Sequence, residues 1–428
     1  MSDAIVIGAG SNELAAAHQL TRAGRRVLVV QERSDDVRTE GWVPPQIAMP
    51  GLVLEQPDPW LRAVLPDGGT LDLSHDARRS ADAIRRLSPR DAERWPEFCA
   101  RMAKLAALLA DVYMAAPPSL IDLRFALKVR RLGRTGMEDL MRLLPMPVAE
   151  LLEDWFESDA LKGALGAMTV RDLHQGPRSA GTAFSLLHGH VGNRPGVFRP
   201  PRSNYGELAR SGLDIQPGIV RRINVRSGRA TGVTLESGEE LSASFVISGA
   251  DPQRTLLDLI EPGWLDPDLV RALRHVRSRS VAAQLDIELE TVPDWKTLTF
   301  APSLDYLERA YDDAKYSRVS ANPSLDAIAD GARVRARFQY APHGAQGDIS
   351  ARVLEPHMPP IKRVTVQRLE NYAELALDQA LWMRPLPQLS GYRTPIAGLW
   401  LCGHSMHPGA GVAGASGYNC ANALLRTL

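Results

Sequence analysis

Two glycines near the start of the chain, Gly8 and Gly10, have the spacing of a loop that binds a pyrophosphate. They follow a short apolar run at residues 4–7, which is typical of a strand buried on both faces. From Asn12 the apolar residues follow helical spacing, and a second apolar run at residues 27–30 predicts another strand. A loop between a strand and a helix directs backbone N–H groups and the positive end of the helix dipole at a phosphate. The pattern therefore predicts a right-handed βαβ unit that binds a dinucleotide.

The third glycine of the dinucleotide motif is replaced by Glu13. A carboxylate about 5 Å from a phosphate charge, at an effective dielectric of about 20, costs about 3 kcal/mol, which is roughly a hundredfold in affinity. Alternatively, Glu13 occupies the anion site itself, because the first turn of a helix stabilises negative charge. At the end of the second strand, Gln31 stands where an acidic residue usually binds the ribose, and Glu32 follows it.

Other residues that could do chemistry form no recognised arrangement. The pair His188 and His190 and the pair His404 and His407 lack an evident third ligand for a metal. No Gly-x-Ser-x-Gly elbow of a hydrolase occurs, and none of the three cysteines belongs to a Cys-x-x-Cys pair. We therefore expect no metal site and a reducing, cytoplasmic location.

The composition is that of an ordinary globular chain. The 428 residues are enough for two or three packed units, and 44% are hydrophobic. Lys plus Arg and Asp plus Glu both number 50, so no general attraction to nucleic acid is expected. No leader peptide is visible, and no apolar stretch approaches the ~20 residues of a spanning helix. Three large apolar residues are expected in the core: Trp382, Met383 and Trp400.

Residues 80–175 are predicted to be mostly helical, with one helix starting at Ser88 and Pro89. A basic face in this region consists of Arg124, Lys128, Arg130, Arg131 and Arg134. Charge runs are usually solvated helix faces. The alternative is peripheral docking on a membrane surface that supplies an apolar substrate.

The later part of the chain is predicted to return to the first unit. Residues 220–225 and 230–235 flank a turn and predict a hairpin, residues 245–248 and 399–402 predict short strands, and a last helix is predicted from Asn419. The fold class is therefore α/β, with a discontinuous dinucleotide-binding domain and a second, substrate-facing domain formed by the segments between its parts. The first domain is assigned residues 1–75, 200–265 and 390–428, and the second is assigned residues 76–199 and 266–389.

Two motifs resemble one family. Residues 8–14, GAGSNEL, resemble the Gly-x-Gly-x-Asn-Gly-Leu opening of phytoene-dehydrogenase-like FAD-dependent oxidoreductases, which belong with the carotenoid desaturases and amine oxidases. Residues 398–414, GLWLCGHSMHPGAGVAG, resemble the flavin-facing motif of that family, and residues 156–162 and 250–255 are also similar. The likeness spans nearly the whole chain. It implies an α/β fold in which a discontinuous Rossmann-like domain of the FAD/NAD(P)-binding type is combined with an interleaved α+β substrate domain.

The resemblance also implies which residues would surround FAD. Those near the pyrophosphate and the adenosine would be Gly8, Gly10, Ser11, Asn12, Gln31, Glu32 and Val220. Those near the ribityl chain and the flavin would be Gly403, Gly411, Val412 and Ala413. The N–H groups of the last two would point at the pyrimidine side of the flavin, where the helix dipole stabilises reduced flavin. His407, beside the flavin face, is the candidate for orienting the substrate.

The resemblance implies an FAD-dependent oxidoreductase that takes a hydride from a C–H bond of an apolar or amine-like small molecule. The alternative is a pseudoenzyme or non-redox relative that has lost FAD and acts as a binding or partner subunit or without a cofactor. Glu13 motivates this alternative, together with several shortened segments and with residues 37–40, where the paired glycine of the family is missing. Both homo- and hetero-oligomers remain open.

Overall fold

A computed structural model describes most of the chain. The described residues are 2–32, 37–47, 49–50, 52–117, 130, 132–198, 202–205, 211–276, 282–341, 347–368 and 384–428. Arg124, Lys128 and Arg131 lie outside the described residues, so the basic face and its membrane contact stay predictions. Trp382 and Met383 also lie outside them. Within the described residues, every helix is too short or too polar to span a lipid bilayer.

The described residues form seventeen strands and ten α-helices. In chain order the strands are β1 (Ser2–Ile7), β2 (Val27–Gln31), β3 (Val37–Glu40), β4 (Leu52–Glu55), β5 (Leu61–Val64), β6 (Thr70–Leu73), β7 (Arg202–Tyr205), β8 (Asp214–Pro217), β9 (Val220–Arg226), β10 (Arg229–Leu235), β11 (Glu240–Ser248), β12 (Ala282–Leu289), β13 (Thr297–Phe300), β14 (Leu325–Asp330), β15 (Arg333–Gln339), β16 (Ile361–Arg368) and β17 (Leu399–Leu401). The helices are α1 (Ser11–Arg22), α2 (Ala77–Ile84), α3 (Pro89–Tyr113), α4 (Gly133–Leu143), α5 (Val148–Trp155), α6 (Asp159–Val170), α7 (Thr182–His190), α8 (Pro267–His275), α9 (Leu304–Lys315) and α10 (Ala415–Leu425).

The first sheet contains the predicted βαβ unit. β1 and β2 are parallel neighbours joined by α1, with Val6 opposite Val29. Ile5 and Val6 are fully buried, as expected for a strand covered on both faces. Gly24, with a φ of +76°, terminates the helix, where a left-handed residue is easiest for glycine. The βαβ prediction is therefore confirmed.

The same sheet draws strands from three distant parts of the chain. Its order is β8-β2-β1-β11-β10-β9, and β17 pairs with β11 in parallel. β9 and β10 form the predicted hairpin across Ser227 and Gly228, both of which have positive φ. The predicted mixed α/β fold with parallel and antiparallel strands is confirmed. Trp400 in β17 is buried, as expected.

A second, mainly antiparallel sheet has the order β16-β12-β15-β14-β13-β5-β6, and β3, β7 and β4 form a third. β5 and β6 fall within residues 1–75, which the sequence assigns to the first domain, yet they belong to the second sheet, where Ala63 pairs with Thr299. Short apolar strands show how many faces are buried but not which sheet they join. The domain boundaries otherwise stay a prediction.

The helix start predicted at Ser88 is confirmed. The Ser88 hydroxyl oxygen accepts a hydrogen bond from the N–H of Asp91, and Pro89 occupies the first turn of α3. Inside the helical layer Phe98 packs edge-on against Phe156, with ring centroids 5.0 Å apart. This contact joins α3 to the segment between α5 and α6.

Asp91 fastens the same two segments by hydrogen bonds. It is fully buried, and its two carboxylate oxygens accept the N–H groups of Glu157 and Ser158 at 2.9 and 2.8 Å. Replacing Asp91 with alanine removes the acceptor of both partly buried N–H groups and leaves a cavity at a fully buried position, so we expect a loss of about 3 kcal/mol in the free energy of unfolding. Urea denaturation measures this loss. The matched control is Glu93→Ala on the exposed face of α3, for which a change above about 0.5 kcal/mol would undermine the comparison.

The last helix begins four residues earlier than predicted, at Ala415 and not at Asn419. The sequence prediction treated the glycine-rich stretch as loop, but Gly417 lies within the helix. A methyl group at Gly417 would overlap the backbone carbonyl of Asn12. This glycine therefore permits α10 to lie directly on the first turn of α1.

Candidate functional site

The glycine loop adopts the geometry expected of a dinucleotide loop. Gly8 has a φ of +99°, and its N–H donates to the carbonyl of Val30 in β2 at 2.8 Å. Gly10 precedes the first turn of α1 in an extended conformation and leaves the helix without a side-chain cap. The free N–H groups of that turn therefore face the end of the loop.

The side chain of Glu13 fills the space between three glycines, Gly8, Gly10 and Gly249. Its side chain is 5% exposed. A Cβ placed on Gly10 would lie 2.5 Å from one carboxylate oxygen of Glu13, and a Cβ on Gly249 would overlap the other. Gly249 follows the end of β11, so the carboxylate lies where the loop, the first helical turn and the neighbouring strand meet. Glycine at these positions leaves room for the Glu13 side chain.

The surroundings of Glu13 act on its charge in opposite directions. The pKa of the Glu13 carboxyl is raised, because the effect of burial outweighs that of His404 and of the backbone N–H groups of Glu13 and Gly10, which lower it. Burial lowers the pKa of His404 in turn, and the Glu13 charge opposes that shift. The Gly10 N–H, which a pyrophosphate would use, thus has a carboxyl group supplied by the chain beside it. That Glu13 occupies the anion site in place of a phosphate stays a prediction.

Ser11 and Asn12 open α1 and are each 1% exposed. The Ser11 hydroxyl and the Asn12 side-chain carbonyl have no hydrogen-bond partner among the described residues. The amide nitrogen of Asn12 lies 3.4 Å from Nδ1 of His404. Buried polar atoms of this kind usually have a partner, so these two mark a position where a bound group would complete the site.

The residues expected around the adenosine lie at one edge of the sheet. Gln31 ends β2, and its carbonyl accepts the N–H of Gly218, two residues before Val220. Val220 is buried at the start of β9. The half-exposed carboxylate of Glu32 lies 3.7 Å from Arg254. The structure thus places the end of β2 beside the turn that leads into β9, and the contact of Gln31 and Val220 with adenosine stays a prediction.

The C-terminal motif connects β17 to α10 beside the glycine loop. A Cβ on Gly403 would overlap the carbonyl oxygen of Gly249, so this glycine permits the close approach of the two segments. Gly411, with a φ of +88°, lies next to His188 of α7. The motif therefore borders both the loop and the helical layer.

One expectation about this motif needs correction. The N–H of Ala413 was predicted to face a flavin, but it donates to the carbonyl of Trp42 at 2.8 Å. The N–H of Trp42 donates in turn to the carbonyl of Gly411 at 3.0 Å, so Trp42 pairs with Val412 as a single bridge. Sequence reasoning missed this contact, because a single bridge between residues 370 positions apart has no periodicity. For Val412 the flavin contact stays a prediction.

The Trp42 indole packs against Gly192, just after α7, where any Cβ would overlap the ring. Residues 41–43, which carry this indole and the two backbone hydrogen bonds, are named the strap. The strap lies over the C-terminal motif at the position where the resemblance places the flavin.

His407 is 1% exposed, and its Nε2 lies 3.3 Å from the carbonyl of Val112 in α3. Burial lowers the pKa of His407 to about 3. Its neighbour His188 donates from Nε2 to the carbonyl of Ala410 and accepts the Tyr113 hydroxyl at Nδ1, both at 2.7 Å. Burial lowers the pKa of His188 to about 4. Both rings therefore pack as neutral groups, and a role of His407 in orienting substrate stays a prediction. The described residues contain no group of three or more His, Cys, Asp or Glu that could hold a metal.

Comparison with known proteins extends these observations. No family model matches the chain. It is 27% identical to the rat pyridine nucleotide-disulfide oxidoreductase domain-containing protein 2, over an alignment of 543 residues that covers all of this chain and 94% of the relative. The alignment has 543 positions and this chain has 428 residues. At least 115 positions of the alignment, the difference between these two numbers, are therefore gaps in this chain. This supports the predicted shortening.

Two further proteins are similar at lower identity. One subunit of the limonene dehydrogenase of Castellaniella defragrans is 23% identical, with all of this chain and 95% of that protein covered. A redesigned putrescine oxidase variant superposes with a TM-score of 0.61 at 14% identity, with 100% of this chain and 99% of that chain covered. None of the three is named a phytoene dehydrogenase. The chain therefore has the fold of the putrescine oxidase and is similar in sequence to two proteins named as an oxidoreductase domain-containing protein and a dehydrogenase subunit, while the narrower likeness to phytoene dehydrogenases stays a prediction.

Proposed function

We propose that the chain is an FAD-dependent oxidoreductase that removes a hydride from a C–H bond of an apolar or amine-like small molecule. The observation that carries this proposal is the anion site at the start of α1. The Glu13 carboxyl already lies against Gly10, and beside it the Ser11 hydroxyl and the Asn12 side-chain carbonyl are buried without a partner among the described residues. A diphosphate would accept from Ser11, and a cofactor hydroxyl would donate to Asn12.

The site residues therefore fit a dinucleotide, provided that Glu13 leaves the loop. FAD, when bound, supplies the hydride acceptor, and the protein supplies position and electrostatics. Gln31 and Val220 would border the adenosine, and the positive end of α10 would stabilise charge on the reduced ring. Two similar proteins support the proposed substrate class, one named as a subunit of a limonene dehydrogenase and the other a putrescine oxidase variant.

Purified protein incubated with FAD and then desalted is expected to retain a flavin absorption band. Ser11→Ala should weaken FAD binding by about tenfold, because it removes a hydrogen bond to a charged group worth about 1.5 kcal/mol. Its stability should not fall, since the hydroxyl has no partner among the described residues and an unsatisfied buried hydroxyl costs stability. The control is Ser237→Ala in the exposed turn before β11, and equal affinities for the two variants would contradict the assignment.

A second candidate function is an FAD-free partner subunit. The strap favours it, because Trp42 holds the N–H of Ala413 that a flavin would need. One similar protein is also named as a subunit. A native chain that stays colourless and takes up no FAD, while remaining folded, would establish this candidate over the first.

A further inference from the structure

We propose that Glu13 is an internal anion that holds the diphosphate position of the glycine loop and competes with the cofactor for it. This inference rests on the proposed function and names the residue that sets cofactor affinity. It makes the loop a closed site that a ligand must open.

The first step is the coincidence of the two anions. The carboxyl oxygens of Glu13 lie 2.5 Å from the position of a Cβ on Gly10 and closer still to that of a Cβ on Gly249, so the side chain fills the space beside both glycines. A diphosphate on the same loop would need that space, the N–H of Gly10 and the positive end of α1. Both groups cannot occupy the space beside Gly10 at once.

The second step is that the loop retains features of an open site. Ser11 and Asn12 keep buried polar atoms without partners among the described residues, which the Glu13 carboxylate does not satisfy. A side chain that merely filled space would leave no reason for these atoms to be polar, since each unsatisfied group costs stability. The site is therefore built for a ligand with more hydrogen-bonding atoms than one carboxylate.

The third step concerns magnitude. Two negative charges about 5 Å apart at an effective dielectric of about 20 repel enough to lower affinity roughly a hundredfold. Glu13→Gly removes both the charge and the volume of the side chain, so it should increase the affinity by a factor of that size. Glu13→Gln removes the charge and keeps the volume, so it should give part of that increase in affinity.

The test compares three chains, namely the native chain, Glu13→Gly and Glu13→Gln, each checked for folding by circular dichroism. Each chain is titrated with two ligands. Inorganic pyrophosphate, followed by calorimetry, probes the loop alone. FAD, followed by flavin fluorescence, probes the whole cofactor site. The control is Asp3→Asn at the opposite end of β1, where the partly exposed carboxylate pairs with Arg26, and its affinities should match those of the native chain.

The proposal expects pyrophosphate to bind E13G about a hundredfold more tightly than the native chain, with E13Q between them. A Kd for E13G within about a factor of three of the native value would overturn it. The proposal would also be overturned if E13G bound pyrophosphate more tightly than the native chain and E13Q did not. The volume of the Glu13 side chain, and not its charge, would then exclude pyrophosphate from the loop.

The FAD arm separates this inference from the proposed function. If the native chain binds FAD and E13G binds it more tightly, the result supports both the internal anion and the FAD-dependent function. Pyrophosphate gain in E13G with no FAD binding by any folded chain supports the internal anion and overturns the FAD-dependent function. Equal FAD binding and equal pyrophosphate binding by native chain and E13G overturns the internal anion and leaves the function standing.

Discussion

Replacing Gly417 with alanine is expected to lower the free energy of unfolding by about 3 kcal/mol or more. The added methyl group would overlap the backbone carbonyl of Asn12, which cannot rotate away as a side chain can. α10 would have to move away from α1. The packing between these two largely buried helices would then be lost. Thermal and urea unfolding followed by circular dichroism measure the loss.

The matched control is Gly263→Ala. Gly263 is exposed, has no atom near its Cβ position, and does not need a left-handed conformation. Its variant should unfold within about 0.5 kcal/mol of the native chain. A Gly417→Ala chain as stable as the Gly263→Ala chain would mean that the two helices do not approach as closely as the structure shows.

The second large effect is a loss of stability in mild acid. Burial lowers the pKa of His188 to about 4 and that of His407 to about 3, from an ordinary value of 6.5. Each ring therefore stays neutral in the folded chain while the unfolded chain takes up a proton below pH 6.5. Since one pKa unit is about 1.4 kcal/mol, each histidine should reduce the free energy of unfolding by about 3 kcal/mol between pH 7 and pH 4.

The direction follows from proton binding. The unfolded state binds more protons in this window, so stability is complete above pH 6.5 and falls as the pH decreases towards the folded pKa. Arg384, which is buried nearby, adds to the depression at both rings. Urea unfolding at several pH values gives the slope.

His407→Phe should flatten that slope by about one proton, because phenylalanine keeps an aromatic ring against Tyr113 but cannot titrate. The control is His275→Phe at the exposed end of α8, which should leave the slope unchanged. Equal slopes for the native and His407→Phe chains would show that His407 is not held neutral in the folded state.

Local patterns in the sequence predict the elements around the site well. The βαβ opening, the hairpin at Ser227 and the helix start at Ser88 each depend on neighbouring residues, through buried strands, turn conformation and capping. The location of the Glu13 carboxyl near the loop is also predictable from the sequence, because it depends only on the position of Glu13 in the first helical turn.

The failures all concern contacts between distant segments. The pairing of β5 with β13 and the bridge of the strap to Val412 join residues far apart, and neither has a repeating pattern. The start of α10 was missed because glycine has a low helix propensity, which argues against a helix at Gly417 when only its neighbours along the chain are considered. Its reason is across the interface, at Asn12.

The contact of α10 with α1 has a consequence for biosynthesis. β17 and Gly417 are translated roughly 400 residues after β1 and α1, which at about 5–20 residues per second is roughly 20 to 80 s. During that interval the nascent chain exposes the apolar face that α10 will cover, a situation that favours chaperone binding. Such long sequence separation also slows refolding. The glycine loop is thus synthesised long before its surroundings are complete, so under the proposed function the cofactor would bind only after most of the chain has been made.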